Sequence, residues 1–168
     1  MNFSSAVSIN DKVWLGTENS GVLIYDIVNK NFSKFNSENS PLKRNKIDIL
    51  KSTSKNNLIV GSSDIYIYKP IEDKWITVEV EGDRTDKIFE DSFGVLWVTS
   101  GRAGVNKINQ DNGDKKHFDL TTDIYKYLSD KERPYFFEDR RKNLWICVHG
   151  GGLAQYVREV DNFRFFRN

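Results

Sequence analysis

The sequence holds one cysteine, one methionine, three prolines and two histidines in 168 residues. The lone Cys147 excludes an internal disulfide and a cysteine-built zinc site, although it leaves the compartment open. His117 and His149 stand without His-x-x-x-His spacing, so neither a metal nor another cofactor is expected. Neither charge sign dominates: Lys+Arg total 25 against Asp+Glu 24. That balance gives no electrostatic case for nucleic acid or an anionic membrane as partner. No apolar run approaches the roughly 18 residues needed to cross a bilayer, so no membrane segment is expected in this chain. Met1–Ser5 has neither the basic region nor the apolar core of a secretory leader, and none is expected there. Alanine is scarce and 3.6-periodic stretches are hard to find, which leaves little room for helix.

What the sequence does have is aromatic and β-branched residues in short runs. Aromatics make up 13% of it, a composition that favours strands. Four of these runs align. Val13-Trp14-Leu15-Gly16-Thr17 matches Leu58-Ile59-Val60-Gly61-Ser62, Leu96-Trp97-Val98-Thr99-Ser100 and Leu144-Trp145-Ile146-Cys147-Val148. With Trp14, Ile59, Trp97 and Trp145 equivalent, the spacings are 45, 38 and 48 residues, close to the roughly 40–50 of a four-stranded propeller blade. A glycine follows the tryptophan by seven residues at Gly21, Gly104 and Gly152. A large residue follows by eleven at Tyr25, Ile108 and Tyr156, and an aromatic by twenty-one at Phe35, Phe118 and Phe166. The second unit is two residues shorter in its middle turn, placing Tyr68 nine after Ile59.

Each unit therefore reads as four short strands. In the third they are Lys87–Glu90, Val95–Thr99, Gly104–Ile108 and Lys115–Phe118, divided by Asp91-Ser92-Phe93-Gly94, Gly101-Arg102-Ala103 and Asp111-Asn112-Gly113-Asp114. The Asn-Gly in the last is a hairpin signal, because both positions tolerate positive φ. Turns this short join antiparallel neighbours, and one such meander alone is marginal in water. Stacked blades bury both faces, as the apolar middle strands require. The chain is thus read as all-β: four four-stranded antiparallel β-propeller blades over 6–35, 47–80, 85–118 and 134–166, in one unit spanning 1–168. Residues 122–128 are expected to add one or two helical turns. An open partial propeller is expected, and its two apolar end faces must be covered by a second copy of the chain, by swapping or by further blades.

Phe89-Glu90-Asp91, Gly94-Val95-Leu96-Trp97-Val98-Thr99 and Gly104-Val105 resemble the two-component regulator propeller repeat. Phe137-Glu138-Asp139, Leu144-Trp145-Ile146 and Gly152-Leu153 repeat the pattern, as do Val13–Thr17, Gly21-Val22 and Tyr25-Asp26. The second unit departs, with Ile59 for tryptophan and Ser63-Asp64-Ile65 at the glycine turn. In that family the repeats form the extracytoplasmic sensor region of hybrid histidine kinases, usually as two seven-bladed propellers before an immunoglobulin-like domain, a membrane helix and the kinase. The resemblance implies a periplasmic chain that is part of a longer array. It also implies a ligand-sensing role, recognising an oligosaccharide or other small ligand and signalling to a kinase outside this chain. The alternatives are a protein-interaction propeller and, less favoured, a lyase- or lactonase-type enzyme.

Several motifs dissolve into the repeat. His149-Gly150-Gly151-Gly152 resembles an esterase oxyanion loop, yet no Gly-x-Ser-x-Gly accompanies it and it aligns with the turns at Glu18–Gly21 and Gly101–Gly104. Glu90-Asp91 and Glu138-Asp139 recur at one repeat position, which points to turn capping rather than to paired catalytic carboxylates. Asp111–Asp114 lacks the later glutamate of a calcium loop. No catalytic residue is assigned. Asn2-Phe3-Ser4 and Asn31-Phe32-Ser33 match the glycosylation sequon by a pattern that chance produces often. Trp14, Trp97 and Trp145 belong to blade packing, whereas Trp75 breaks the pattern, lies at a blade rim and is the one to be exposed if any tryptophan is. The turns between second and third strands share one face with the inter-blade segments. Residues that vary among those turns, Glu18, Asn19, Asp64, Arg102 and His149, are the candidate ligand-binding residues.

Overall fold

The computed structural model describes residues 1–82, 84–100, 104–119, 135–148 and 152–166. The helical turns expected over 122–128, and the candidates Arg102 and His149, lie outside the described residues. Strands follow chain order, four to a sheet. Blade 1 holds β1 (Phe3–Ile9), β2 (Lys12–Thr17), β3 (Val22–Asp26) and β4 (Asn31–Phe35). Blade 2 holds β5 (Ile49–Ser52), β6 (Leu58–Gly61), β7 (Ile65–Lys69) and β8 (Lys74–Val78). Blade 3 holds β9 (Lys87–Glu90), β10 (Val95–Thr99), β11 (Val105–Asn109) and β12 (Lys115–Phe118). Blade 4 holds β13 (Tyr135–Glu138), β14 (Leu144–Val148), β15 (Gly152–Val157) and β16 (Asn162–Phe166).

Every pairing is antiparallel between sequence neighbours, and the register repeats from blade to blade. Trp14 opposes Ile24, Ile59 opposes Ile67, Trp97 opposes Lys107 and Trp145 opposes Gln155. β11 runs one residue later than expected, over Val105–Asn109, with Gly104 at φ +97° just before it. Gly21 has φ +80° and its absent Cβ would lie 2.0 Å from the Phe35 carbonyl oxygen, so no side chain fits there. The turn between β11 and β12 is closed by Gly113 N–H donating to the Asn109 carbonyl at 2.8 Å, and Lys55 of blade 2 holds its Asp111 carboxylate at 2.6 Å.

Three apolar clusters join the blades in series. Trp14, Phe35, Tyr68 and Trp75 lie in the first, between blades 1 and 2. The second, between blades 2 and 3, is aliphatic and includes Ile59, Ile67, Val78, Ile88 and Ile108. The third, between blades 3 and 4, gathers Trp97, Phe118, Tyr156 and Phe163. Among the described residues no such cluster joins blade 4 to blade 1, so the array is open at both ends. Trp75 corrects the sequence reading. It is half-buried with its ring 4.7 Å from Tyr68 and 5.1 Å from Phe35, because the face it occupies is covered by blade 1. Among the described residues, the face left uncovered is that of blade 4, which carries Trp145 stacked on Phe137 at 6.2 Å.

Candidate functional site

Strand direction places the turns between second and third strands, together with the segments entering each blade, at one end of the sheets. Clefts of about 350 and 380 Å³ lie at the opposite end, between the other turns. At the first end, Asp64 sits in the turn between β6 and β7 and is 5% exposed. Lys43 Nζ lies 3.0 Å from Asp64 Oδ2 and 3.0 Å from Glu79 Oε1, while its backbone N–H donates to the Tyr66 hydroxyl. The Asp64 hydrogen bond, and then that of Glu79, hold the Lys43 ammonium above its usual range. Glu18 and Asn19 are exposed at the turn of blade 1, where Glu18 accepts a 3.0 Å hydrogen bond from Asn2. No contact brings them together with Asp64.

Beside Asp64 lie polar groups that alignment of the turns did not single out. Arg44 Nε donates to Ser62 Oγ at 3.0 Å and its Nη2 to Asp48 at 2.9 Å. Asp48 also accepts from the Thr85 N–H, and Thr85 Oγ1 donates to the Ser62 carbonyl. In blade 3, Arg84 pairs with Asp86 at 3.1 Å. Asp48 and Asp86 hold equivalent places, since their N–H groups donate to the carbonyls of Gly61 and Thr99 at the ends of β6 and β10. An acidic residue just before the first strand in two blades is the sequence signal that would have found this pair. At the outer edge, Glu81 meets Lys115 at 3.0 Å and His117 at 3.3 Å, and His117 Nδ1 is 3.0 Å from Asn106 Oδ1. Burial raises the Glu81 pKa, but the Lys115 hydrogen bond prevails and keeps it below the usual range.

Among the described residues, the buried Ser63 Oγ, Thr99 Oγ1, Ser100 Oγ and Asn106 Nδ2, in or beside the turns of blades 2 and 3, have no hydrogen-bond partner. Chemically the face combines fixed guanidinium–carboxylate pairs with hydroxyl groups, a set suited to hydrogen-bonding a neutral polar ligand. Among the described residues no group of three or more His, Cys, Asp or Glu side chains is arranged to hold a metal.

No family's sequence profile matches the chain, and no curated protein matches it in sequence. Solved structures do. The extracellular domain of the hybrid two-component system BT3049 from B. thetaiotaomicron superposes with a TM-score of 0.69 at 17% identity, over 97% of this chain and 23% of that one. The extracellular domain of BT4673, a hybrid system from the same organism, gives 0.71 at 16% identity, over 100% of this chain and 22% of that one. Virginiamycin B lyase from Staphylococcus aureus gives 0.70 at 12% identity, over 99% of this chain and 55% of that one. At these identities the likeness is one of fold. The blades are propeller blades, and the chain spans less than a quarter of the sensor domains.

Proposed function

We propose that this chain is the ligand-sensing part of a two-component sensor, and that the face carrying Asp64, Arg44 and Asp48 takes up an oligosaccharide. The observation that carries the reading is the likeness in fold, over 97% and 100% of the chain, to extracellular domains of two hybrid two-component systems. The chemistry of the face supports the ligand class. A sugar presents hydroxyl groups that both donate and accept, and Arg44, Asp48 and Ser62 offer both kinds of partner in a fixed arrangement. The chain belongs on the periplasmic side in this reading. Binding would bias the arrangement of blades, and a kinase outside this chain would read that bias.

Calorimetric titration with a panel of oligosaccharides tests the proposal. A sugar that binds should lose roughly tenfold in affinity in Asp64→Ala or Arg44→Ala, the effect of about one charged hydrogen bond. Arg102→Ala and His149→Ala test the two sequence candidates that lie outside the described residues. Unchanged affinity in all four variants, each with the wild-type circular dichroism spectrum, would remove this face as the site.

A further inference from the structure

At the end of the sheets away from Asp64, the junction of blades 3 and 4 is filled. Trp97 Nε1 donates to Asp91 Oδ2 at 3.0 Å, and Arg158 Nη2 reaches the same oxygen from blade 4, also at 3.0 Å. The Arg158 guanidinium lies over the Phe93 ring, 4.0 Å from its centroid. One carboxylate thus joins the indole of one blade to the cation of the next. The junction of blades 1 and 2 has the same tryptophan and neither partner. Ile9 stands where Asp91 does, since each residue closes the turn into its second strand. Lys69–Lys74 and Val157–Asn162 close matching turns, which makes Pro70 the counterpart of Arg158. Trp14 is 2% exposed, and among the described residues its Nε1 has no hydrogen-bond partner.

The cleft of about 380 Å³ opens in that place, and Trp14 is part of its lining. Both walls belong to this chain: Asp11, Lys12 and Val28 come from the turns of blade 1, Pro70 and Ile71 from a turn of blade 2. The other cleft, of about 350 Å³ beside blade 3, does not have Trp97 in its lining. A space of this size suits a small ligand. A buried donor without a partner is unfavourable, and a ligand that brings an acceptor relieves it. The rest of the lining narrows the class. Val28 and Ile71 are 69% and 87% exposed and give the mouth two apolar lips. Asp11 and Asp26 outnumber Lys12, so the cleft repels a net negative charge. What fits is a neutral molecule with hydroxyl groups around a carbon face.

We infer that this cleft is a second binding site, which takes one neutral sugar residue. A sugar oxygen accepts from Trp14 Nε1, in the place that the Asp91 carboxylate fills beside Trp97, and the C–H face of the ring lies against Pro70 and Ile71. The indole nitrogen is itself out of contact with solvent, so binding must open the floor of the cleft slightly, and the indole N–H reports that opening directly. The site is at the opposite end of the sheets from Asp64 and stands independently of the face proposed above.

Nuclear magnetic resonance of the isotope-labelled chain tests the site. Its four tryptophans give four indole N–H signals, and Trp14→Phe assigns one of them. Glucose, galactose, mannose and xylose are titrated singly to about 50 mM, enough to fill a site with a Kd in the millimolar range. At least one should move the Trp14 signal downfield and saturably, while those of Trp97 and Trp145, already bonded to carboxylates, stay in place. Glucuronate should bind more weakly than that sugar. By calorimetry, Trp14→Phe should weaken it roughly fivefold, the effect of about one neutral hydrogen bond. Ile71→Glu, at a side chain too exposed to matter for folding, should weaken it roughly tenfold; Asp64→Ala should leave it unchanged. A Trp14 signal that no sugar moves, or full affinity in Ile71→Glu, overturns the proposal. So does binding that is lost in Asp64→Ala with Trp14 unmoved, an outcome that would uphold the other face.

Discussion

The tryptophan of the second strand is held at both its ring and its nitrogen, but not in every blade. Trp97 Nε1 donates to Asp91 Oδ2 at 3.0 Å, and Asp91 Oδ1 accepts from the N–H groups of Phe93 and Val95. Asp139 repeats this with Trp145, Arg141 and Asn143. The Trp145 hydrogen bond, followed by those of Asn143, holds the Asp139 carboxyl down to about 2. Blade 1 differs. Ile9 pairs with Lys12 where Asp91 meets Val95, the hairpin is one residue shorter, and the buried Trp14 Nε1 has no partner. Replacing each tryptophan by phenylalanine removes similar ring volume from a buried site, so the cavity effects largely cancel. Trp97→Phe also removes a hydrogen bond to a charged group, whereas Trp14→Phe deletes an unsatisfied donor. Trp97→Phe should therefore destabilise the chain by about 1–2 kcal/mol more than Trp14→Phe. Urea unfolding of both variants measures the difference; equal midpoints would show that the indole–carboxylate contact contributes nothing.

A blade leans on its neighbour through the other half of the same dipeptide. Glu90 accepts from Ser54 N–H at 2.8 Å and Oγ at 2.7 Å, across the junction of blades 2 and 3. Glu138 does the same to Ser92, at 2.9 and 3.0 Å, across the next junction. The sequence pattern, Glu-Asp at the end of a first strand, identified the position and a turn-capping role. That role is right for the aspartate, which caps its own turn; the glutamate caps the turn of the blade before it. The difference was not legible, because a repeat aligned along the chain says nothing about which residues meet across a junction. The same blindness placed Trp75 at a rim, whereas Arg44 and Asp48 were passed over because they precede the first strand and lie outside the aligned turns. Strand positions were legible because hydrophobic alternation and turn chemistry are local, as the agreement over Lys87–Glu90, Val95–Thr99 and Lys115–Phe118 shows. A double-mutant cycle on Ser92→Ala and Glu138→Ala should give a coupling of about 1 kcal/mol. Glu138 also lies 3.5 Å from Arg158, and the cycle separates that contact from the clasp. Coupling near zero would reduce the clasp to a surface contact.

Across the whole molecule, stability should follow position in the array rather than blade sequence alone. A stack of repeats behaves as a sum of unit terms and nearest-neighbour interfaces, so a terminal unit has one interface and an interior unit two. The burial pattern agrees. All four residues of β6 are buried, and so are Ile65 through Tyr68 of β7, whereas Leu15, Leu23 and Tyr25 of blade 1 remain half-buried on the uncovered face. In dilute solution, amides of β6, β7, β10 and β11 should therefore exchange with deuterium more slowly than those of β2, β3, β14 and β15. Uniform protection across the strands would mean that the four blades open as one unit.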